Sequence, residues 1–258
     1  MQILRLSKWL AFGLLILMTS NALAERSAAN MARDEFRHPF ATLDFFGIQS
    51  VMDVVEISPG GGWYTEILAE KVQGTLYAAH FNPEAKSAYY RNSRAKFEEK
   101  IASQPALYGN LELHTFDAGA GLLSTPDNSA DAVLTFRNVH NWMRSGSEGR
   151  AFELFFTTLK PGGVLGVVEH RAKPDTDLQT MIQSGYVTQK YVIELAEQAG
   201  FIFEASSEIN ANSADTADHP KGVWTLPPSL RLGDKDRDRY LAIGESDRMT
   251  LRFRKPAK

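Results

Sequence analysis

The segment Glu56-Ile57-Ser58-Pro59-Gly60-Gly61-Gly62 is the part of this sequence best suited to bind a ligand. It follows an apolar run over residues 51–57 and precedes a run with helical spacing over residues 63–72. Glycine has no Cβ atom, so the backbone of such a loop can approach a nucleotide-like ligand closely. A tight turn between a strand and a helix needs fewer than three consecutive glycines. The pattern therefore favours a binding loop over a plain turn.

Polar side chains that could do chemistry follow several of the other predicted strands. These residues are His80, Asn82, Asp117, Asn138, His140 and His170. Histidine has a pKa near 6.5, so it can take a proton from a substrate oxygen or carbon acid. We predict Asn138, His140 and His170 as catalytic residues, with a structural role as the alternative for each histidine. A metal site built from His80, His140 and His170 is the weaker alternative, because no His-x-x-x-His spacing supports it, and we predict no metal.

Alternating strand and helix patterns must position these side chains. The predicted strands are 51–57, 75–81, 111–116, 130–136, 164–169, 201–205 and 249–253, and the predicted helices are 28–37, a short one ending at Phe46, 63–72, 85–102, 149–159 and 188–198. Such alternation predicts right-handed βαβ units and a doubly wound, mainly parallel sheet of seven strands in the α/β class. The last two strands have no full crossover helix between them, so we expect the last strand to be antiparallel. A turn is expected at Lys160-Pro161-Gly162-Gly163, before the fifth strand.

A polar, proline-containing stretch over residues 210–245 separates the last two strands. Insertions of this length often form lids or binding loops. Its middle, Trp224-Thr225-Leu226-Pro227-Pro228, is apolar and stiff, which suits a cover that excludes water. We expect one pocket with the glycine loop as its floor and this stretch as its cover, and the alternative is that the stretch packs on the sheet edge. The expected wall residues of this pocket are Asn138, His140, Trp142 and His170.

The glycine loop resembles a known cofactor motif. Glu56-x-Ser58-x-Gly60-x-Gly62 is similar to the acidic-x-Gly-x-Gly-x-Gly first motif of S-adenosylmethionine (SAM)-dependent methyltransferases, with Ser58 in place of the first glycine. Asp117-Ala118-Gly119 resembles the acidic position that meets the adenine amino group. Phe136-Arg137-Asn138-Val139 and the 159–165 segment are similar to the equivalent parts of quinone C-methyltransferases.

The whole chain is most similar to a group of exported predicted methyltransferases. Arg33-Asp34-x-x-Arg37-His38-Pro39 and Gly61-Gly62-Trp63-Tyr64-Thr65 contribute to this resemblance, which covers about residues 28–254. It implies a Rossmann-like methyltransferase fold, S-adenosyl-L-methionine as the cofactor and methyl transfer to a small molecule. The cofactor-binding residues that it implies are Glu56, Ser58, Gly60, Gly61, Gly62, His80, Asn82, Asp117 and Asn138.

One departure from the family pattern favours a different function. The family usually has a carboxylate at the end of the second strand to bind the ribose hydroxyls, and this chain has His80 followed by Phe81 and Asn82. Together with Ser58, His80 favours the alternative of a catalytically silent periplasmic ligand-binding or accessory protein on the same fold.

The N-terminal residues 1–24 have the pattern of a secretory signal peptide. Arg5 and Lys8 precede an apolar run over residues 9–18, and Ala22-Leu23-Ala24 fits the small-x-small cleavage rule. An uncleaved membrane anchor is the alternative, although the apolar run is short for one. We therefore expect a cut after Ala24 and a periplasmic or secreted protein.

The whole chain has the composition of an ordinary globular enzyme, with 23% charged residues and a formal net charge of -3. This charge shows no bias toward nucleic acid or anionic membranes, so we expect no nucleic-acid partner. The chain has no cysteine, so we expect neither disulfides nor a lipoprotein anchor. Residues 25–258 are expected to form a single domain without stable membrane insertion after cleavage.

Export can be tested on protein isolated from a bacterial host that expresses the full-length gene. N-terminal sequencing should start at Glu25 or within a residue or two, because signal peptidase cuts after a small-x-small site. Recovery of intact Met1 in the cytosolic fraction would contradict export.

Overall fold

Short apolar strands form the centre of the protein. The computed structural model describes residues 26–257, so the predicted signal peptide lies outside the described residues. The strands are β1 (Val54–Ile57), β2 (Leu76–His80), β3 (Leu111–Asp117), β4 (Leu122–Leu123), β5 (Ala130–Phe136), β6 (Leu159–His170), β7 (Ile202–Ser207), β8 (Pro220–Val223) and β9 (Arg248–Arg254). The four residues of β1 are all buried, as expected for a central parallel strand covered on both faces.

Eight of these strands form one sheet in the order β4-β3-β2-β1-β5-β6-β9-β7. Strands β3, β2, β1, β5 and β6 are parallel, and β9 runs antiparallel to both β6 and β7. This confirms the predicted doubly wound, mainly parallel sheet with an antiparallel last strand. The order reverses between β1 and β5, and in such a sheet ligands bind outside the carboxyl ends of the strands at the reversal point. The glycine loop leaves β1 at this point, as predicted.

Helices cover both faces of the sheet. They are α1 (Ala28–Met31), α2 (Asp34–Arg37), α3 (Pro39–Phe46), α4 (Trp63–Lys71), α5 (Ala88–Ser103), α6 (Val139–Met143), α7 (Glu148–Thr158), α8 (Leu178–Ser184), α9 (Gln189–Gln198) and α10 (Arg237–Ile243). On one face α3 and α4 pack on Val54 and Leu134, and on the other α7 and α9 pack on Val55 and Val133. Neighbouring residues of one strand thus enter two separate cores, because strand side chains alternate between faces.

The structure differs from the predicted elements in a few places. The eighth strand, β4, adds to the seven predicted; it pairs over only two residues with Phe116 and Asp117, which is too short to give a sequence pattern. The predicted turn at Lys160-Pro161-Gly162-Gly163 is wrong, since these residues belong to β6. Gly162 has φ +80° there, and the backbone of Lys255 bonds to Gly162 and Gly163, so the strand continues through a bulge. The expected helix over 28–37 is divided into α1 and α2.

The insertion over residues 210–245 is tightly held and contains β8 and α10. Asp215 anchors it, because its buried carboxylate accepts hydrogen bonds from Tyr186 Oη at 2.9 Å and from His219 at 2.8 Å. The side-chain amide of Asn212 donates to the carbonyls of Ile243 and Glu245 at 2.8 and 2.7 Å. Within residues 26–257, no helix combines the length and apolar character needed to cross a bilayer.

A single added methyl group tests the packing of α3 on the sheet. A Cβ atom at Gly166 of β6 would lie 2.7 Å from the Phe46 ring and 2.8 Å from Leu134. The ring cannot move aside without disturbing the core, so Gly166→Ala should destabilise the fold by about 1–3 kcal/mol. Thermal unfolding should show a melting temperature lower by several degrees.

Gly149→Ala provides the matched control for this experiment. A Cβ atom at Gly149 in α7 would meet nothing within 4 Å, so its melting temperature should stay constant or rise, since alanine favours helix. Equal melting temperatures for the Gly166 variant and the unmodified protein would contradict the described packing.

Candidate functional site

The glycine loop between β1 and α4 uses left-handed backbone conformations. The angle φ is 50° at Ser58, 60° at Gly60 and 76° at Gly62. Glycine adopts such angles freely, whereas another residue is destabilised by about 1 kcal/mol. The Ser58 N–H donates to the Ala79 carbonyl at 2.8 Å and so ties the loop to β2. Ser58 therefore occupies a position where glycine would be the unstrained residue, which agrees with its place in the motif.

The middle of the loop leaves room for a ligand. A Cβ atom at Gly60 or Gly61 would meet no atom within 4 Å, whereas one at Gly62 would lie 3.0 Å from the Phe97 ring. The Ser58 hydroxyl is buried and has no hydrogen-bond partner among the described residues. A buried, unpartnered hydroxyl beside open backbone is a site where a ligand can supply the missing hydrogen bond.

Glu56 lies beneath the loop with its carboxyl group buried. Thr65 Oγ1 donates to Glu56 Oε2 at 2.6 Å. Burial raises the pKa of Glu56 to about 7, and the Thr65 hydrogen bond and the charges of Lys100 and Arg137 only partly oppose this shift. The carboxyl group is therefore partly protonated at neutral pH, which is unusual for a glutamate.

Two cavities meet at the carboxyl ends of β1 and β5. The first, which we call the wide cavity, has a volume of about 590 Å³ and is lined by residues that include Phe81, Asn82, Tyr90, Asp117 and Trp142. The second, which we call the arginine chamber, has about 320 Å³ and is lined by residues that include Arg33, Arg37, Glu56, Gly60, Gly61, Tyr64, Phe136 and Arg137. Ser58 and Asn138 line both cavities, so these two residues mark their junction.

A third cavity lies away from the glycine loop. It has about 930 Å³ and is lined by residues that include Arg171, Lys190, Glu194 and Asp215. None of the residues predicted to bind the cofactor or to act in catalysis lines it. A large volume alone does not indicate a functional site, so the two smaller cavities, which predicted site residues line, are the better candidates.

Besides Ser58, three polar residues predicted to bind the cofactor line the wide cavity. Asp117 Oδ1 accepts the N–H of Ala120 at 3.1 Å, and no hydrogen bond to the other carboxylate oxygen is formed by the described residues. Asn82 Oδ1 accepts the N–H of Glu84 at 2.9 Å, which holds its side chain at the end of β2. Asn138 Nδ2 donates to the carbonyl of Ile57 at 3.1 Å and so joins the end of β5 to the end of β1.

His80 supports the glycine loop from below. Its Nδ1 accepts the N–H of Phe81 at 2.7 Å, so the hydrogen is on Nε2, which donates to the Gly60 carbonyl at 3.1 Å. The ring is fully buried, and burial lowers the pKa of His80 to about 4, so it is neutral at physiological pH. His80 and Gly62 lie outside the lining of both cavities, and the structure gives His80 a positioning contact with the loop.

His140 and His170 lie next to each other, as predicted, but beneath the insertion. Their ring centroids are 5.3 Å apart, and the Trp224 ring covers His140 at 6.0 Å. His140 Nδ1 lies 3.0 Å from Glu169 Oε1, and His170 Nδ1 lies 2.5 Å from Ser246 Oγ. Neither histidine lines the wide cavity or the arginine chamber, whereas Asn138 and Trp142 do. Their catalytic roles stay predictions.

The donor atoms of His140, Glu169 and His170 are close enough to hold a metal ion, since they lie within 4.8 Å of one another. However, the Glu169 carboxylate already accepts the backbone N–H groups of His140 and His170, at 3.4 and 2.8 Å, as well as facing the His140 ring. Burial holds the pKa of His170 well below its ordinary value, and the nearby Arg248 and Arg137 charges act in the same direction. The same charges would repel a cation, so we assign this group as a hydrogen-bond network.

The residues that sequence reasoning missed lie in the arginine chamber. Arg137 follows β5 directly and has φ 62°. The Phe136 ring stacks on Tyr64, with centroids 3.5 Å apart and planes 8° apart. Arg33 and Arg37 come from the N-cap and the last turn of α2, far from the glycine loop in sequence. The sequence signal for this part of the site was Arg137, a bulky residue directly after a central strand. That signal does not indicate which residues surround Arg137.

Comparison with known proteins shows which proteins this chain resembles. Residues 55–167 match the family model described as a methyltransferase domain. A SAM-dependent methyltransferase from Aquifex aeolicus has a similar structure, with a TM-score of 0.58 and 16% identity over 87% of this chain and 93% of that one. The chain has the Rossmann-like fold of the SAM-dependent methyltransferases, and its residues 55–167 are similar to a methyltransferase domain. This domain supports S-adenosyl-L-methionine as the cofactor.

Other solved structures share the fold of this methyltransferase-like chain. The [4+2]-cyclase SpnF has a TM-score of 0.62 and 17% identity over 86% of this chain and 82% of that one. Phosphoethanolamine N-methyltransferase 2 from Haemonchus contortus, in complex with S-adenosyl-L-methionine, has a TM-score of 0.56 and 16% identity over 86% of this chain and 53% of that one. No curated protein matches the chain. Because the fold occurs in a cyclase as well, the fold alone does not define the reaction.

The raised pKa of Glu56 in the methyltransferase domain predicts a specific pH dependence of stability. Between about pH 4.5 and 7 the folded protein holds a proton on Glu56 that the unfolded chain has released, so stability falls as pH rises through this window. Glu56→Gln keeps a hydrogen-bond acceptor for Thr65 and cannot ionise. Relative to this variant, the unmodified protein should lose about 3 kcal/mol of stability between about pH 4.5 and 8.

Thermal melts of both proteins at pH 5, 6, 7 and 8 measure this difference. Glu153→Gln is the matched control, because Glu153 is 58% exposed and pairs only with Arg150 among the described residues. If the melting temperatures of Glu56→Gln and the unmodified protein changed by the same amount between pH 5 and 8, Glu56 would have an ordinary pKa.

Proposed function

We propose that this protein transfers the methyl group of SAM to a small-molecule acceptor at the junction of the two cavities. The observation that carries the proposal is the placement of Ser58 and Asn138 in both linings, with Asp117 in the wide cavity only. In this arrangement the adenosine end of the cofactor lies in the wide cavity, and its amino-acid end reaches the glycine loop, where Gly60 and Gly61 line the arginine chamber. Bound SAM supplies an electrophilic methyl group on a sulfonium.

The residues of the wide cavity fit an adenosine group. Phe81, Tyr90 and Trp142 provide apolar ring surfaces for a flat base. Asp117 is the last residue of β3 and has one carboxylate oxygen left for an N–H donor of that base, as the resemblance implies. The open backbone at Gly60 and Gly61 and the unpartnered Ser58 hydroxyl give room and hydrogen-bonding capacity near the junction.

The protein contributes to methyl transfer mainly by alignment. Proximity and orientation supply a large share of the rate enhancement in such a reaction. Asn138 is bonded to the Ile57 carbonyl and to Thr135, so the junction between the cavities is rigid. His140 and His170 would act as bases only after the structure around them opens, because both rings are buried and the Trp224 ring lies 6.0 Å from the His140 ring. The alternative of a catalytically silent accessory protein is not favoured by the methyltransferase domain match.

The cellular location and the acceptor chemistry are also part of the proposal. The signal pattern over residues 1–24 supports export and function in the periplasm. The local resemblance to quinone C-methyltransferases over Phe136-Arg137-Asn138-Val139 supports a small-molecule acceptor without defining which atom is methylated.

Calorimetry with S-adenosylhomocysteine on the mature chain tests the cofactor site. We expect saturable binding, and Asp117→Asn should weaken it by about 10- to 100-fold, because a hydrogen bond to a charged group is worth about 1.5–3 kcal/mol. The side-chain amide oxygen of this variant can still accept the Ala120 N–H, so the turn is kept. Melting temperatures measured alongside distinguish weaker binding from a folding defect.

The control variant is Asp127→Asn, because Asp127 is exposed and lies outside both cavities. Its affinity for S-adenosylhomocysteine should equal that of the unmodified protein. Absence of binding to the unmodified protein at millimolar ligand would overturn the proposed function and would favour the accessory protein.

A further inference from the structure

A further pocket lies between α8 and the insertion, and we call it the tryptophan pocket. It has a volume of about 350 Å³, which is enough for a small molecule. The residues that line it include Arg144, Ser184, His219, Lys221, Trp224 and Arg231. It shares no lining residue with the wide cavity or the arginine chamber, so a ligand bound here would lie apart from the cofactor site.

The lining of the tryptophan pocket is positively charged. It contains Arg144, Lys221 and Arg231 and no acidic residue. Within residues 26–257, these three side chains form no hydrogen bond and no ion pair. Arg144 and Arg231 instead contact the Trp224 ring, with 4.7 and 4.6 Å between each guanidinium carbon and the ring centroid. Such contacts are weak at an exposed site and leave the charge of each guanidinium in place, so the pocket attracts anions.

His219 adds a buried polar group with one ring nitrogen left unpaired. Its side chain is 3% exposed, and its Nε2 lies 2.8 Å from Asp215 Oδ1. A carboxylate only accepts hydrogen bonds, so the hydrogen is on Nε2. In the part of the chain that the structure describes, no group forms a hydrogen bond with Nδ1. A buried, unpaired ring nitrogen in the lining of a pocket is a place where a ligand can complete the hydrogen bonding.

Close packing fixes the wall of the tryptophan pocket. A Cβ atom at Gly185 would lie 3.0 Å from the Trp224 ring, so α8 and this ring are in tight contact. The Arg231 N–H donates to the Trp224 carbonyl at 2.9 Å, and the Gly222 N–H donates to the His219 carbonyl at 2.8 Å. The backbone that carries the charged side chains is therefore held in place before a ligand binds, which lowers the cost of binding.

We infer that the tryptophan pocket binds the phosphate group of a phosphorylated small molecule. Arg144, Lys221 and Arg231 donate hydrogen bonds to the phosphate oxygens, and the planar guanidinium fork of arginine suits this anion. The inference does not depend on the proposed function, because it assigns a second binding site to a different part of the molecule.

His219 and the number of cations favour a phosphate group over a carboxylate. A phosphate monoester carries about −1.5 to −2 charge at pH 7, because its second pKa is about 6. It therefore offsets more of the positive charge than a carboxylate does. Its singly protonated form also has a hydroxyl group that can donate to Nδ1 of His219. A carboxylate is ionised at this pH and has no hydrogen to donate.

Calorimetry with inorganic phosphate and acetate, at constant ionic strength, tests the preference of the pocket. We expect saturable phosphate binding with a Kd of about 5 mM or lower, since exposed cations give a weak but measurable attraction. Acetate should bind at least about 10-fold more weakly, as the loss of one charge-assisted hydrogen bond predicts. Equal binding of the two anions would overturn the inference, as would the absence of saturation by phosphate at about 20 mM.

Variants show whether phosphate binds in this pocket. Arg231→Met and Lys221→Met should each weaken phosphate binding by about 10-fold, because each removes a charged donor. Arg239→Met is the matched control, because Arg239 contacts the Tyr240 ring at 5.8 Å and lies outside the pocket. It removes the same charge and should change the Kd by less than about 2-fold. If neither Arg231→Met nor Lys221→Met changes the Kd, phosphate binds elsewhere and the inference fails.

Thermal unfolding separates a binding role of these cations from a structural one. Arg231→Met loses a contact with Trp224 and could melt earlier for that reason alone. The Lys221 side chain is exposed and forms no hydrogen bond or ion pair within residues 26–257, so Lys221→Met should keep its melting temperature within about 1–2 °C. A lower melting temperature in Arg231→Met, with unchanged phosphate binding in Lys221→Met, would assign the arginines a structural role and overturn the inference.

Two further probes distinguish a free small molecule from a lipid headgroup. We expect glycerol 3-phosphate to bind, with the same loss in Arg231→Met as for inorganic phosphate. We expect no co-sedimentation with phosphatidylcholine vesicles, whether or not they contain phosphatidic acid. Co-sedimentation that requires both phosphatidic acid and Arg231 would identify a lipid headgroup as the source of the phosphate and would overturn the assignment to a small molecule.

Discussion

The reversal of strand order between β1 and β5 is the constraint on which the site depends. Helices connected to neighbouring strands go to opposite faces of the sheet at this point, so the carboxyl ends of β1 and β5 are left with a crevice between them. Asn138 spans the two strand ends through its hydrogen bond to the Ile57 carbonyl. The glycine loop closes one side of the crevice, and His80 holds the loop through the Gly60 carbonyl. Both cavities exist because this opening is present and rigid.

Glu245 connects the two ends of the described chain at the same site. Its carboxylate binds Arg33 and Arg37 from the N-terminal helices and Arg248 from β9. The side-chain amide of Asn210 reinforces this connection between the chain ends by donating to the hydroxyl groups of Thr42 and Thr250, each at 2.9 Å. A buried cluster of this kind specifies one arrangement of the chain ends, because breaking any pair would leave a buried charge uncompensated. The same cluster leaves excess positive charge beside the cofactor cavity.

Much of the fold was predictable, because local patterns define it. The apolar run before Glu56 and the glycines after it predicted a strand and a loop, and alternating strand and helix patterns predicted the parallel sheet. The short elements β4 and α6 were missed because they contain too few residues to show a period. The predicted turn at Gly162 and Gly163 was wrong because contacts with Lys255, distant in sequence, keep these residues in β6.

The site was less predictable, because its properties come from contacts between distant residues. Strand order predicted that His140 and His170 would be neighbours, but only the fold shows the Trp224 ring beside His140. The pKa of Glu56 depends on burial, and the cluster around Glu245 joins arginines that are distant from one another in sequence. Neither property has a signature in the local sequence.

A crystal structure of the mature protein grown with S-adenosylhomocysteine is the most direct test of the central claim, that the wide cavity is the cofactor site. We expect electron density for the ligand in the wide cavity, with its adenine next to Asp117 and its amino-acid end toward Ser58 and Asn138. Density for the ligand only in the cavity beside Arg171 would contradict this claim. Density only in the arginine chamber, with none in the wide cavity, would contradict it as well.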